Sequence, residues 1–357
     1  MARILIAPDS FKGSATSIEV ARAIAHGWLS IRPNDELIQI PCADGGEGTL
    51  LAIEFARPDA IRIYCPEVSL EAYWLLINGS TAIVELAQVS GLSLLPQLDP
   101  MGAHTFAFGQ VLANAARDLR VHRIYCALGG SASTDAGVGA LTALGFEFLD
   151  RADQQVGLGG GQLSKITQIS IGNAVAPPVG GVTLLVDVDS PLLGVHGTAT
   201  TFAKQKGATN QQIAQLESAL EGFSTVIAAD DSPGSGAAGG TAFGLRALWG
   251  ATIESGSVWI ADMCGVADAI HACDLVITGE GKLDAQSMRG KIVGHITELA
   301  AAAEVPIAYC VGSIEGRFPI PNLGGIALSE LAGSTQEAIE DPQRYLIEAG
   351  VKLADFL

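Results

Sequence analysis

Residues 274–291, DLVITGEGKLDAQSMRGK, constrain the fold of this chain more than any other stretch. An apolar run, Leu275–Ile277, follows Asp274, and the chain then turns through Gly279 and Gly281. Around those glycines stand Glu280, Lys282, Asp284 and Lys291. An apolar strand that enters a glycine-rich, charged turn and then a helix is the unit from which α/β proteins build ligand sites. Acids and lysines in one loop suit a metal–phosphate ligand better than an apolar one.

The same grammar recurs at the N-terminus. Arg3–Ala7 reads as a strand, Ser17–Ile31 as a helix capped by Thr16 or Ser17, Leu37–Pro41 as a strand and Thr49–Ala56 as a helix. Such alternation predicts a parallel sheet covered on both faces. The pattern then changes. Ala72–Ile77 and Thr81–Leu86 flank Asn78-Gly79-Ser80, the signal of a β-hairpin, so a mixed sheet begins near residue 60. A helix over Gln110–Leu119, strands over Arg123–Leu128 and Val182–Val188 and a helix over Gln211–Phe223 follow. From about residue 240 the alternation returns, with strands at Leu275–Thr278 and Ile307–Val311. The expected architecture is an α/β domain from residues 1–60 and 240–357, with a mixed α/β domain, 61–239, inserted. Residues 123–150 are assignable to either.

At 357 residues and 48% hydrophobic, the chain can support two cores and is not a disordered one. Its net charge of −18, from 20 basic and 38 acidic residues, argues against nucleic acid and anionic membranes as partners. No apolar run reaches about 18 residues, so no membrane span is expected. The start, MARILIAPDS, lacks signal-peptide features. The six cysteines form no C-x-x-C pair and mostly sit in apolar runs, which predicts buried reduced thiols and a cytoplasmic protein. The apolar composition is compatible with a homodimer.

Glycine numbers 43, well above the usual ~7%, and clusters after apolar runs. Four further loops share the chemistry of the 274–291 stretch. APDSFKGS offers Asp9, Ser10 and Lys12; ADGGEGT offers Asp44, Gly45, Gly46 and Glu47. LGGSASTDAG offers Gly129, Gly130, Ser131, Ser133 and Asp135; DVDSPLLG and KQKGA offer Asp187, Asp189, Lys204 and Lys206. Glycine-loop amides cradle phosphate oxygens, lysines neutralise them, carboxylates hold Mg²⁺ and one carboxylate takes the acceptor's proton. Each loop taken singly also has a structural explanation. Asp9, Asp44 and Asp135 would serve as helix caps, and Lys204 and Lys206 as a solvated face. Asp187 and Asp189 resist it, since two acids at i, i+2 of a strand share a face and repel. A Walker loop is absent. A G-x-G-x-x-G match at Gly234, Gly236 and Gly239 follows Asp230, Asp231 and Pro233 rather than a strand. It reads as a glycine-rich helix start, not a dinucleotide site.

Taken in order, APDSFKGS, ADGGEGT, LGGSASTDAG, DVDSPLLG, QKGA, GSGAAGG and TGEGKLDAQ resemble the type I glycerate kinases, from Ile4 to about Ser313. The resemblance implies a flavodoxin-like parallel-sheet domain built from both chain ends, with an inserted restriction-endonuclease-like mixed α/β domain. It implies MgATP-dependent phosphorylation of D-glycerate to 2-phosphoglycerate; the domain organisation makes a cleft between the two domains the expected site. The chain departs from the family pattern at Lys282, where arginine is usual, and at Gly290–Gly294, Phe106–Gly109, Thr134–Gly137 and Asp189–Leu192.

The expected roles follow. Lys12, Lys206 and Lys291 contact phosphate or the substrate carboxylate. Gly129, Gly130, Gly279 and Gly281 supply amides. Asp189, with Asp187 or Glu280, holds Mg²⁺, and Asp44 or Asp189 is the base. Asp9, Ser10, Gly45, Gly46, Glu47, Ser131, Ser133, Lys282 and Asp284 complete the binding set. The rival expectations are a kinase for another small hydroxy acid and a homologue that binds small molecules with weak turnover. A dehydrogenase is the weakest of the rivals.

Overall fold

A computed structural model describes residues 1–285, 287–288, 290–319 and 323–357. The last residue of the TGEGKLDAQ motif, Gln286, lies outside them. Two compact units emerge. One comprises Met1–Asp44, Leu51–Pro58 and Ser257–Leu357; the other comprises Gly45–Leu50 and Asp59–Gly256.

In the first unit five of the described strands form a parallel sheet in the order Gly325–Ala327, Ile307–Val311, Leu275–Gly279, Arg3–Pro8, Glu36–Gln39, and Lys282–Leu283 pairs with Ser313–Ile314 in a separate two-stranded sheet. Read from the other edge and numbered among these five, the order is 2-1-3-4-5, a doubly wound order. The two central strands are apolar at nearly every position because helices cover both faces. Ile4, Ile6, Leu275 and Ile277 pack on one face with Val20, Ile24 and Trp28 of the helix Ser17–Ile31. Thr16 caps that helix in a reciprocal box with Glu19, so the cap is Thr16 and not Ser17.

The helix Pro342–Leu353 lies against Ser17–Ile31 at very close range. A methyl at Gly27 would overlap the Ile347 carbonyl, and one at Gly350 the Ile24 carbonyl. Backbone cannot yield as a side-chain tip can, so Gly27→Val is expected to destabilise this unit by about 3 kcal/mol. Thermal unfolding of the variant checks this; an unchanged transition would contradict it.

In the second unit six of the described strands form a mixed sheet in the order Thr252–Glu254, Val182–Leu185, Arg123–Ala127, Thr81–Glu85, Tyr73–Ile77, Ile61–Tyr64, and Glu147–Leu149 pairs with Gln168–Ser170 apart from it. The first four run parallel, and the last three form antiparallel hairpin pairs. Asn78 and Gly79 take positive φ of 51° and 68° within the loop Asn78-Gly79-Ser80, which joins Ile77 to its ladder partner Thr81.

Two sequence expectations change, and one choice left open is decided. Residues 240–256 belong to the second unit rather than the first, because Thr252–Glu254 pairs with Val182–Leu185 and Phe243, Leu245 and Trp249 fill that unit's core. Residues 123–150 lie in the same unit, since Arg123–Ala127 is central in its sheet. The Val182–Val188 strand ends at Leu185. Asp187 and Asp189 therefore sit in the following coil, and the shared-face argument for them does not hold.

Gly236 and Gly239 of the G-x-G-x-x-G match serve packing. A methyl at Gly236 would overlap the Pro191 carbonyl, and one at Gly239 the Ser133 carbonyl. No βαβ unit opens there; the chain kinks through Ala238, Gly239 and Gly240, at φ of 53°, 69° and 84°, before the helical run to Trp249.

Candidate active site

In the parallel unit, the strands Arg3–Pro8 and Leu275–Gly279 are neighbours at the point where strand order reverses. Ligands of open α/β sheets bind at the carboxyl ends of strands at such a point. Asp9 and Glu280 are the first residues beyond those ends, in register because Pro8 pairs with Gly279. The Asp9 amide donates to the Gly279 carbonyl at 2.8 Å, and Cys42 N–H donates to the Pro8 carbonyl at 2.8 Å. The second bond ties the segment that leads to Asp44 to the same sheet end.

Three carboxylates thus act on one another. Burial pushes the Asp9 carboxyl well above its usual range, and the Asp44 charge pushes it further. The Ser10 amide, 2.6 Å from Asp9 Oδ1, opposes this; Glu280 adds to it and Lys291 opposes it. Glu280, only 7% exposed, is raised by burial, lowered by Ser287 and Lys291, and raised again by Asp284 and Asp44. Its Oε1 has no hydrogen-bond partner among the described residues. A buried carboxylate oxygen left open in this way fits a cation.

Lys291 occupies the N-cap of the helix Ile292–Ala302. The Gly290 carbonyl before it accepts from Ser257 Oγ at 2.6 Å, which fixes the helix start. Lys282 points elsewhere, into an exposed ion pair with Glu315 at 2.7 Å. Asp284 closes a local turn with Ser287, whose Oγ accepts from its amide at 2.9 Å. Lys12 is exposed, and its backbone runs beside Gly281.

In the mixed unit two glycine loops meet. Gly129 N–H donates to the Gly45 carbonyl at 2.8 Å, and a methyl at Gly129 would come within 2.5 Å of Gly46 Cα. Only glycine permits this approach. Glu47 is exposed and accepts weakly from Ser93 Oγ at 3.3 Å. Ser131 and Ser133 are buried and bond to each other. Lys206, 3% exposed, donates to the Ser133 carbonyl. Burial lowers its ammonium from 10.5 to about 8, opposed by Asp135. Lys204 is exposed; the solvated-face reading fits it and fails for Lys206.

Asp187 accepts from Ser255 Oγ at 2.9 Å, and Asp189 is exposed. Asp189 lies in the mixed unit and Glu280 in the parallel one. Among the described residues no three His, Cys, Asp or Glu side chains are grouped to hold a metal. Magnesium commonly needs only one or two carboxylates, with substrate phosphates and water.

The family model described as the glycerate kinase family matches residues 4–357. The chain belongs to the glycerate kinase family. It is a kinase. It is 35% identical over 376 residues to the glycerate kinase of Haemophilus influenzae, covering 99% of this chain and 98% of that one. It is 34% identical over 339 residues to the glycerate 2-kinase of Escherichia coli, with 91% and 88% covered. A Salmonella typhimurium LT2 crystal structure assigned to glycerate kinase 2 superposes with a TM-score of 0.79 at 29% identity, covering 99% of this chain and 97% of that one.

Two departures from the glycerate kinase pattern turn out to be joined. Asp135 Oδ2 accepts from the Thr105 amide and hydroxyl, both at 2.8 Å, and from Gly139 N–H at 3.1 Å. It thereby links the Thr134–Gly137 segment to the start of the helix Phe106–Arg117. Asp135 is fully buried, and its Oδ1 accepts from the N–H of Gly137, the N-cap of the helix Val138–Leu144.

Sequence reasoning passed over Glu85, which ends the strand Thr81–Glu85 and accepts from Gly48 and Leu50 amides. The signal was present: an acid closing an otherwise apolar strand, as with Asp274–Glu280. Among the described residues no helix is long and apolar enough to cross a membrane.

Proposed function

We propose that this glycerate kinase family member transfers the γ-phosphoryl group of ATP to D-glycerate, giving 2-phosphoglycerate and ADP. The observation that carries the reading is the meeting of Asp9, Asp44 and Glu280 at the carboxyl ends of the parallel strands, with Lys291 acting on them. Opposed charges collected on loops beyond a doubly wound sheet suit a polyphosphate and its cation. We read the parallel unit as flavodoxin-like from its 2-1-3-4-5 order, and the mixed unit as the restriction-endonuclease-like insertion. Buried, unpaired cysteines favour action in the cytoplasm.

The acceptor hydroxyl loses its proton to a carboxylate as its oxygen bonds to the γ-phosphorus and the bond to the β-phosphate oxygen breaks. Asp44 or Asp189 takes that proton. Lys12, Lys206 and Lys291 neutralise phosphate or the glycerate carboxylate, and the amides of Gly129, Gly130, Gly279 and Gly281 supply donors. Glu280, through its open Oε1, is the carboxylate best suited to hold Mg²⁺, with Asp187 and Asp189 as the second candidates. Magnesium, when bound, neutralises the charge that develops on the transferred group.

An ATP-coupled assay with D-glycerate, L-glycerate and a panel of small hydroxy acids tests the reading, with NMR assignment of the product. ADP release with D-glycerate and phosphate on the second carbon is expected. ADP release with another acid alone, or tight binding without release, would replace the reading with a different acceptor or a binding role.

A further inference from the structure

Beyond the groups placed in the site, the mixed unit holds one buried carboxylate that binds only backbone. We infer that Glu85 is a positioning residue for phosphoryl transfer, whose carboxylate clamps the Gly45–Gly48 turn by its amides. Glu85 is 6% exposed. Its Oε1 accepts from Gly48 N–H at 3.1 Å and its Oε2 from Leu50 N–H at 2.9 Å. Those amides belong to the start of the helix Thr49–Ala56, where a negative charge is favoured. Thr49 Oγ1 returns a bond to the Gly46 carbonyl at 2.8 Å, so the turn is held from both sides.

The clamp reaches further. Glu85 lies in register with Ala127, the strand residue just before the 128–137 loop. That loop is bonded to the turn through Gly129 N–H and the Gly45 carbonyl. One carboxylate therefore sets both glycine loops of the unit.

A serine or aspartate at the helix start would cap the same amides in contact with water. The chain uses a buried glutamate instead. Burial raises its carboxyl from 4.5 to about 7, opposed by the Leu50, Gly48 and Thr49 amides and assisted by Glu47. A capping group that is costly to ionise and titrates near working pH is characteristic of functional sites.

The inference rests on the 43–49 loop serving the phosphate-binding site. Glu85→Gln keeps the shape but turns an NH₂ donor toward one of the two amides. Its kcat is expected to fall about 10- to 100-fold, with KM changed less. The wild-type rate should show an acid limb near pH 7 that is missing from the variant. Wild-type kcat with the limb retained, or a loss matching lost folded protein, overturns the proposal. Hydrogen exchange of the Gly48 and Leu50 amides in the unaltered protein tests the clamp without substrate. Their protection should weaken as pH falls through about 7; protection that ignores pH overturns it as well. This second measurement fails independently of whether glycerate is the acceptor.

Discussion

Lys206→Met lowers kcat with D-glycerate and ATP by about 100-fold or more while leaving the protein at least as stable at pH 7. Methionine keeps most of the stem volume and removes the charge. At 3% exposure the ammonium is a costly group to hold ionised, and its fall from 10.5 to about 8 corresponds to about 3 kcal/mol. The sign follows from proton counting. Between about pH 8 and 10.5 the unfolded chain binds more protons at this site than the folded one, so stability rises with pH across that window. Below about 8 the cost is present in full. Losing the donor to the Ser133 carbonyl offsets part of the gain, about 1–3 kcal/mol. Calorimetry at pH 7 and near 10 reads the stability; steady-state kinetics read the rate. A variant with kcat within threefold of wild type would remove Lys206 from the site.

Glu280→Gln is expected to reduce kcat by about 100- to 1000-fold and to shift the Mg²⁺ dependence to higher concentration. The amide fits the same space but brings no charge to the open Oε1 position. It also relieves a neighbour. Glu280 is among the charges that raise Asp9, so the Asp9 carboxyl moves back toward its ordinary value in the variant. Asp9 then ionises at lower pH, and any acid limb it contributes to the rate profile moves the same way. A metal titration of activity alongside the pH profile checks both effects. Unchanged Mg²⁺ dependence would leave Asp187 and Asp189 as the metal candidates.

Much of this molecule was legible from local pattern. Ser17–Ile31 and Thr49–Ala56 are helices with the bounds read from their apolar spacing. The Asn78-Gly79 hairpin followed from turn chemistry, because those residues accept the positive φ that its twist demands. Asp135 was readable as an acid at a helix start, where it accepts from Gly139 N–H, but Gly137 is the N-cap and its Thr105 partner lies 30 residues away. Where the reading went astray, a long-range partner decided. Thr252–Glu254 looks like part of the returning α/β pattern, yet its ladder partner is Val182–Leu185. Val186 and Val188 alternate with Asp187 and Asp189 as strand residues would, but the strand ends at Leu185.

The candidate site divides in the same way. The sequence by itself determined the family and the loops that carry acids, lysines and glycines, since those depend on order along the chain. Tertiary structure decided what each group experiences. Lys204 and Lys206 stand two residues apart, yet one is solvated and the other is buried against the Ser133 carbonyl. Lys282 and Glu280 share a motif, yet one pairs with Glu315 at the surface and the other keeps a buried oxygen open. Charge and pKa depend on desolvation and on neighbours distant in sequence, and those are set only when each unit packs: around Glu280 when the strands at 3–8 and 275–279 pair, around Lys206 when its segment closes on Ser133.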